Sequence, residues 1–164
     1  MAYYLSSERN EDLIRSYRRY QKYLHDHERE FPPSAFSLAT SEWYQDANDH
    51  RCPHDGWLEN LIISETPDSN RKRVTSIRTR LWAAYHDGYI EFLYPNVFTY
   101  LIESPFCGSA VGDWLYDEFR LSDSGHVIHE IEWSAWPNSK GSRWIIEASD
   151  VQFMWIPQSI SAPH

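Results

Sequence analysis

At Gly56 the hydrophobic period of this chain changes from about 3.6 residues to about 2, and no other feature constrains its fold as tightly. Before that point Leu13, Tyr17, Tyr20 and Leu24 recur at steps of four, three and four, the spacing of one helical face. This pattern predicts a helix from Ser7 to about Glu30, with Ser6 or Ser7 as its cap and Glu8, Glu11 and Asp12 in or near its first turn. Pro32–Pro33 stops it, and Ser34 opens a shorter helix whose apolar side is Phe36, Ala39 and Trp43. Arg15, Arg18, Arg19 and Lys22 line another face of the first helix; acids stand nearby, so a solvated face is expected there rather than a phosphate site.

After Gly56 the chain alternates. WLENLIISE reads as a strand and TPDSN as a loop, and the run from Arg73 to Tyr85 alternates again. GYIEFLY, VFTYLIE, DWLYDEFRL, HVIHEIEW, RWIIEA and VQFMWI follow, joined by SDSG, PNSKGS and SD turns. Helices first and strands afterwards predict an α+β fold: one or two N-terminal helices, then a mostly antiparallel β-meander sheet. Residues 1–157 are expected to form one domain, with 158–164 as a loose tail.

Composition narrows the function. The formal charge is −9, and residues 1–30 hold six acids and six bases, so the excess lies entirely after residue 30. An acidic body disfavours nucleic acid or an anionic membrane as main partner and suits a basic protein. Eight Trp and eleven Tyr suit both a packed sheet and a recognition surface. Cys52 and Cys107 are too few for a four-thiolate metal site or a disulfide scaffold. MAYYLSSERNEDL is too polar for a secretory signal, and no run approaches the ~20 apolar residues of a membrane span. A cytoplasmic protein without a cofactor is the expectation.

HDGWLE at His54 and HDGYIE at His86 write one phrase twice. With Asp87–Gly88 as the central pair of a type I′ turn, His86 faces Tyr89, Tyr85 faces Ile90, Ala83 faces Phe92 and Leu81 faces Tyr94. That register sorts apolar from polar residues and makes Gly88 the position of positive φ. The first copy follows the loop DANDHRCP and delivers the chain into a strand. The alternative is a metal-dependent hydrolase using His54, Asp55, His86 and Asp87 as ligands. HVIHEIEW alternates as a strand, which places His129 with Val127, Ile131 and Trp133 as a satisfied core or rim histidine.

WYQDANDHRCPHDGWLENL, from Trp43 to Leu61, together with AYHDGYIEFLYP, GDWLYDEFRL and HEIEW, resembles small bacterial α+β proteins of the immunity and accessory type. That resemblance implies binding rather than catalysis and transfers no catalytic residue. The expected surface is the polar–aromatic sheet face bearing Trp82, Glu91, Tyr89 and Arg80. Glu118, Glu130 and Glu132 extend it if the SDSG register places them on that side. A pocket lined by Trp and Tyr, holding a small ligand without chemistry, is the remaining possibility.

Overall fold

A computed structural model of the chain describes residues 2–104, 110–134 and 141–158. Helices α1 (Leu13–Asp26) and α2 (Pro33–Ala39) precede seven strands: β1 (Trp57–Pro67), β2 (Arg73–Trp82), β3 (Gly88–Ile102), β4 (Trp114–Leu121), β5 (Val127–Trp133), β6 (Arg143–Ala148) and β7 (Gln152–Pro157). The α+β expectation therefore holds, with every strand pair antiparallel.

The first helix starts later than its periodicity suggests. Ser7–Asn10 forms a separate 3-10 turn, and the cap is Asp12, whose side chain accepts from the Arg15 amide at 2.8 Å. The reason is tertiary: Tyr3–Leu5 and Arg9 are tied to carboxylates of the sheet, which holds this segment off the helix axis. Pro33 opens α2 at a position where a missing N–H costs nothing. The free amides of Ser34 and Ala35 are met by Asp150 at 3.3 and 2.8 Å.

The strand order is β1-β2-β3-β6-β5-β4, with β7 also paired to β3. Strand β3 is continuous where the sequence suggests two strands broken at Pro95. Gly88–Leu93 pair with β7 and Val97–Ile102 with β6. Pro95 falls between, where the neighbour changes and the register to β2 shifts, so its absent N–H interrupts no ladder. A bridge from Trp57 to Asp113, with Trp114 N donating to Gly56 O at 3.0 Å, brings the two ends of the strand order together, so the sheet curls round on itself.

One face of the curled sheet meets the helices. Tyr20 and Leu24 of α1 and Leu38 of α2 join Ile77, Leu81, Phe92, Trp114 and Ile131 in a single buried cluster. Strand β4 would be an open edge, but α1 covers it. The Tyr20 hydroxyl accepts from Phe119 N at 2.6 Å, and the Tyr23 hydroxyl from Leu121 N at 2.8 Å. Edge amides that would otherwise recruit another strand are satisfied in this way.

Candidate functional site

The two HDG phrases are turns of different construction. In the first, Gly56 N donates to Pro53 O at 2.9 Å and Asp55 carries the positive φ of 61°. In the second, His86 N donates to Ala83 O at 2.9 Å and His86 itself has φ 57°. The hairpin register is Trp82 with Tyr89, Leu81 with Ile90 and Thr79 with Phe92. It is four residues away on β2 from the register that a two-residue Asp87–Gly88 turn gives, because the loop is wider. A shift by an even number of residues preserves the faces, so the sorting of side chains survives the error. Gly88 is a strand residue, not the left-handed position. Its requirement is space: a Cβ there would run into the Trp155 ring and lie 2.8 Å from Ile156 O.

Of the four residues of the hydrolase alternative, the chain neighbours His54 and Asp55 contact each other, while His86 and Asp87 have other partners. His54 Nδ1 lies 3.2 Å from the adjacent Asp55, and its ring meets the edge of Tyr116. His86 packs against Trp57 and Trp82. Asp87 contacts His50 Nδ1, whose ring stacks on Tyr85 at 4.1 Å. Among the described residues no group of three or more His, Cys, Asp or Glu is placed to hold a metal ion.

The expected binding face is assembled by register. Trp57, Trp82, Tyr89 and Ile156 align across β1, β2, β3 and β7, and the next row is Asn60, Arg80, Glu91 and Met154. Trp57 is 54% exposed and Met154 56%, with Trp82 and Tyr89 half-buried between them and edge-on at 5.2 Å. The Arg80 guanidinium lies 4.2 Å over the Tyr89 ring and contacts Glu59 at 3.0 Å and Glu91 at 3.7 Å. Sequence reasoning missed Trp57 and Met154, although both follow from alternation once the strand neighbours are known.

Glu118, Glu130 and Glu132 do not extend that surface. Glu118 is fully buried and accepts from the amides of Tyr3, Tyr4 and Leu5 at 3.2, 2.6 and 3.0 Å. It stands directly opposite Glu130 in the register. Arg120 bridges the two carboxylates, and Arg143 adds a contact to Glu130 at 2.8 Å. Glu132 receives the fork of Arg9 at 2.9 and 3.2 Å, and Arg9 also lies over Tyr116. Like charges across a strand pair are tolerable only when cations fill the gap between them, and the chain's own N-terminal segment covers the result.

On the inner face lies a polar cluster that no spacing announced. Asp117 is 3% exposed and His129 fully buried, with His129 Nε2 2.9 Å from Asp117 Oδ2. Tyr44 Oη donates to the same oxygen at 2.8 Å, and Trp114 Nε1 to Oδ1 at 3.1 Å. Tyr94 Oη lies 2.7 Å from His129 Nδ1. Burial pushes the Tyr44 and Tyr94 phenols well up from their ordinary range, so both keep their protons. The His129 ring thus links Tyr94 Oη to the Asp117 carboxylate through its two nitrogens. Placing His129 in the core was correct; its hydrogen-bond partners come from two other strands, Tyr94 of β3 and Asp117 of β4.

Asp117 lines a cleft of about 200 Å³ whose walls include Tyr4, Tyr44, His54, Trp114 and Tyr116. Cys52 also borders it, but burial raises its thiol to about 11 and its Sγ donates to Tyr44 O, so it is no ready nucleophile. Cys107 lies outside the described residues. Comparison of the chain with protein-family models, curated proteins and solved structures gives no match, and function has to be argued from the geometry of this chain.

Proposed function

We propose that this is a cytoplasmic, non-enzymatic binding protein, immunity-like in kind, that engages a basic protein partner through the outer face of β1, β2, β3 and β7. One observation carries the reading: Trp57 and Met154, each more than half exposed, flank Trp82 and Tyr89 on a single sheet face. Contiguous exposed apolar surface of this kind marks interaction sites, and Trp, Tyr and Arg are the residues that carry interface energy. The acids of the face are occupied by Arg80. Attraction to a basic partner therefore comes from the net charge of −9, which acts on encounter rate more than on the contact itself.

Site-specific photocrosslinking in an extract of the source cells tests it. A benzophenone amino acid at position 154 should give one discrete protein adduct. The same group at position 14, exposed on α1, should not, and Trp82→Ala should weaken capture of the adduct partner by about 2 kcal/mol. Equal adducts from both positions, or capture indifferent to Trp82→Ala, would sink the reading.

A further inference from the structure

The strand order has two ends, β4 and β1, and they are finished differently. Strand β4 is covered by α1 through the hydroxyls of Tyr20 and Tyr23. Past the bridge at Trp57, β1 has β2 as its only partner strand among the described residues. A strand in an antiparallel pair turns alternate N–H and C=O groups away from its neighbour. From Asn60 to Thr66 those groups on β1 meet no hydrogen-bond partner among the described residues. Exposed edges are protected by lysine, proline or a bulge. Here the bulge lies between Leu58 and Asn60 and the proline at Pro67, on either side of Asn60-Leu61-Ile62-Ile63-Ser64, which carries no charge. Ile62 is 48% exposed and Ile63 41%. An open, apolar, uncharged edge of this kind recruits another strand.

The stretch itself selects the strand that fits. Residues opposite each other across an antiparallel pair share a face, so a second β1 related by a two-fold axis must be centred on a residue. Centred on Ile62, the pairing sets Ile62 against its own copy, Leu61 against Ile63 and Asn60 against Ser64. Apolar side chains then meet apolar ones on both faces, and a polar pair closes each end. Centring on Ile63 sets Leu61 against Glu65, and centring on Leu61 sets Asn60 against Ile62. Both alternatives waste the match.

Charge selects the same register. Centred on Ile62, Trp57 of one copy lies level with Pro67 of the other, so the turn beyond Pro67 comes beside the segment that precedes Trp57. The turn exposes Arg71 and Lys72, which have no ion-pair partner among the described residues. Asp55 and Asp113 stand exposed next to Trp57. The hairpin Trp57–Trp82 holds three acids (Glu59, Glu65, Asp68) and five bases (Arg71, Lys72, Arg73, Arg78, Arg80). The net charge of −9 is therefore carried elsewhere, and salt at physiological strength screens it beyond about 8 Å.

We propose that the chain forms a two-fold homodimer in which β1 pairs antiparallel with β1 of a second copy, centred on Ile62. Such a junction is isologous and closed, the commonest form of assembly. It lies in the plane of the sheet and leaves the outer face bearing Trp82 and Tyr89 open, so neither assignment depends on the other. A ladder this short falls below the roughly 1,200 Å² of a standard interface, which puts the dissociation constant on the order of 10 μM or weaker.

Analytical ultracentrifugation of the full chain, from about 1 μM to about 1 mM in about 0.15 M salt, tests it. The mean mass should rise from that of one chain towards that of two, and amide exchange from Asn60 to Ser64 should slow over the same range. Ile62→Lys sets like charges against each other on the axis and should hold the chain at one copy. Lys72→Glu should weaken the dimer about tenfold, and Asp113→Lys added to it should restore most of the loss. This exchange of charges reads the register without touching the strand, so it decides the matter should Ile62→Lys not fold. A chain that stays at the mass of one copy up to about 1 mM overturns the proposal and leaves the edge to a foreign strand. A dimer that survives Ile62→Lys, or a double variant no tighter than Lys72→Glu alone, overturns it as well.

Discussion

Two regions on the outer face of one sheet carry the same mixture of aromatics, acids and arginines, yet they have opposite fates. On β4 and β5, Glu118 and Glu130 are buried, Arg120 is locked between them, and Tyr3–Leu5 lies across them on Glu118. On β2 and β3, Glu91 and Arg80 form a looser pair beside Trp82 and Tyr89, with Trp57 and Met154 open to solvent. The difference is cover. The first region has been closed by the chain's own N-terminal segment, and charge there serves to staple the segment down. Among the described residues no such lid covers the second, and its apolar side chains stay open to solvent.

The largest effect should come from breaking the staple. Glu118→Gln faces Arg120 and three backbone amides with a neutral amide, and loss of a buried charge pair costs about 3 kcal/mol or more. A fall in the urea midpoint, with faster hydrogen exchange at Tyr4 and Leu5, is the expected result. Glu91→Gln is the matched control and should stay within about 0.5 kcal/mol. Similar losses in the two variants would erase the contrast between the regions.

Gly88→Ala comes next. It forces a Cβ onto Trp155 and Ile156 O, and overpacking of this kind costs about 1–3 kcal/mol. Thermal unfolding measures it. Gly125→Ala provides the contrast, since Gly125 has φ 77° but open space around its Cβ, and its cost should be about 1 kcal/mol from backbone strain alone. Trp82→Ala removes a half-buried ring and should lower stability by about 1 kcal/mol, less than its effect on partner capture. A greater loss of stability than of binding would make Trp82 a structural residue.

The smallest effect is electrostatic and pH-dependent. Hydrogen bonding from the Arg51 side chain lowers the Asp49 carboxyl from 3.8 to about 2. A depressed folded value gives stability that is present above the unfolded value and lost as pH falls through the folded one. Asp49→Asn should therefore melt slightly below the parent above about pH 4, and the two should converge towards about pH 2. A gap independent of pH would mean that the carboxylate's charge is not its source.

Much of the architecture is legible in the residues. Leu13, Tyr17, Tyr20 and Leu24 mark a helix because its geometry is local. Alternation marks the strands and sorts Trp82, Tyr89, Arg80 and Glu91 to one face even when the hairpin register is taken four residues out. The limits are equally physical. The SDSG turn could not fix the side of Glu118 and Glu130, because a turn one residue longer reverses every following side chain. Leu13 has the right spacing for the core but is 44% exposed, because the 3-10 turn and the cap at Asp12 move the start of α1.

By itself, then, the sequence determined the order of helices and strands, the antiparallel class of the sheet and the two-faced character of β2 and β3. These depend on periods of a few residues, and a period is written in the chain. Tertiary structure alone decided which outer region is covered, why Gly88 must be glycine, and that Tyr44, Tyr94, Asp117 and His129 meet. Those contacts join positions 12 to 115 residues apart, and such distances are closed only when the sheet curls and the N-terminal segment docks on it.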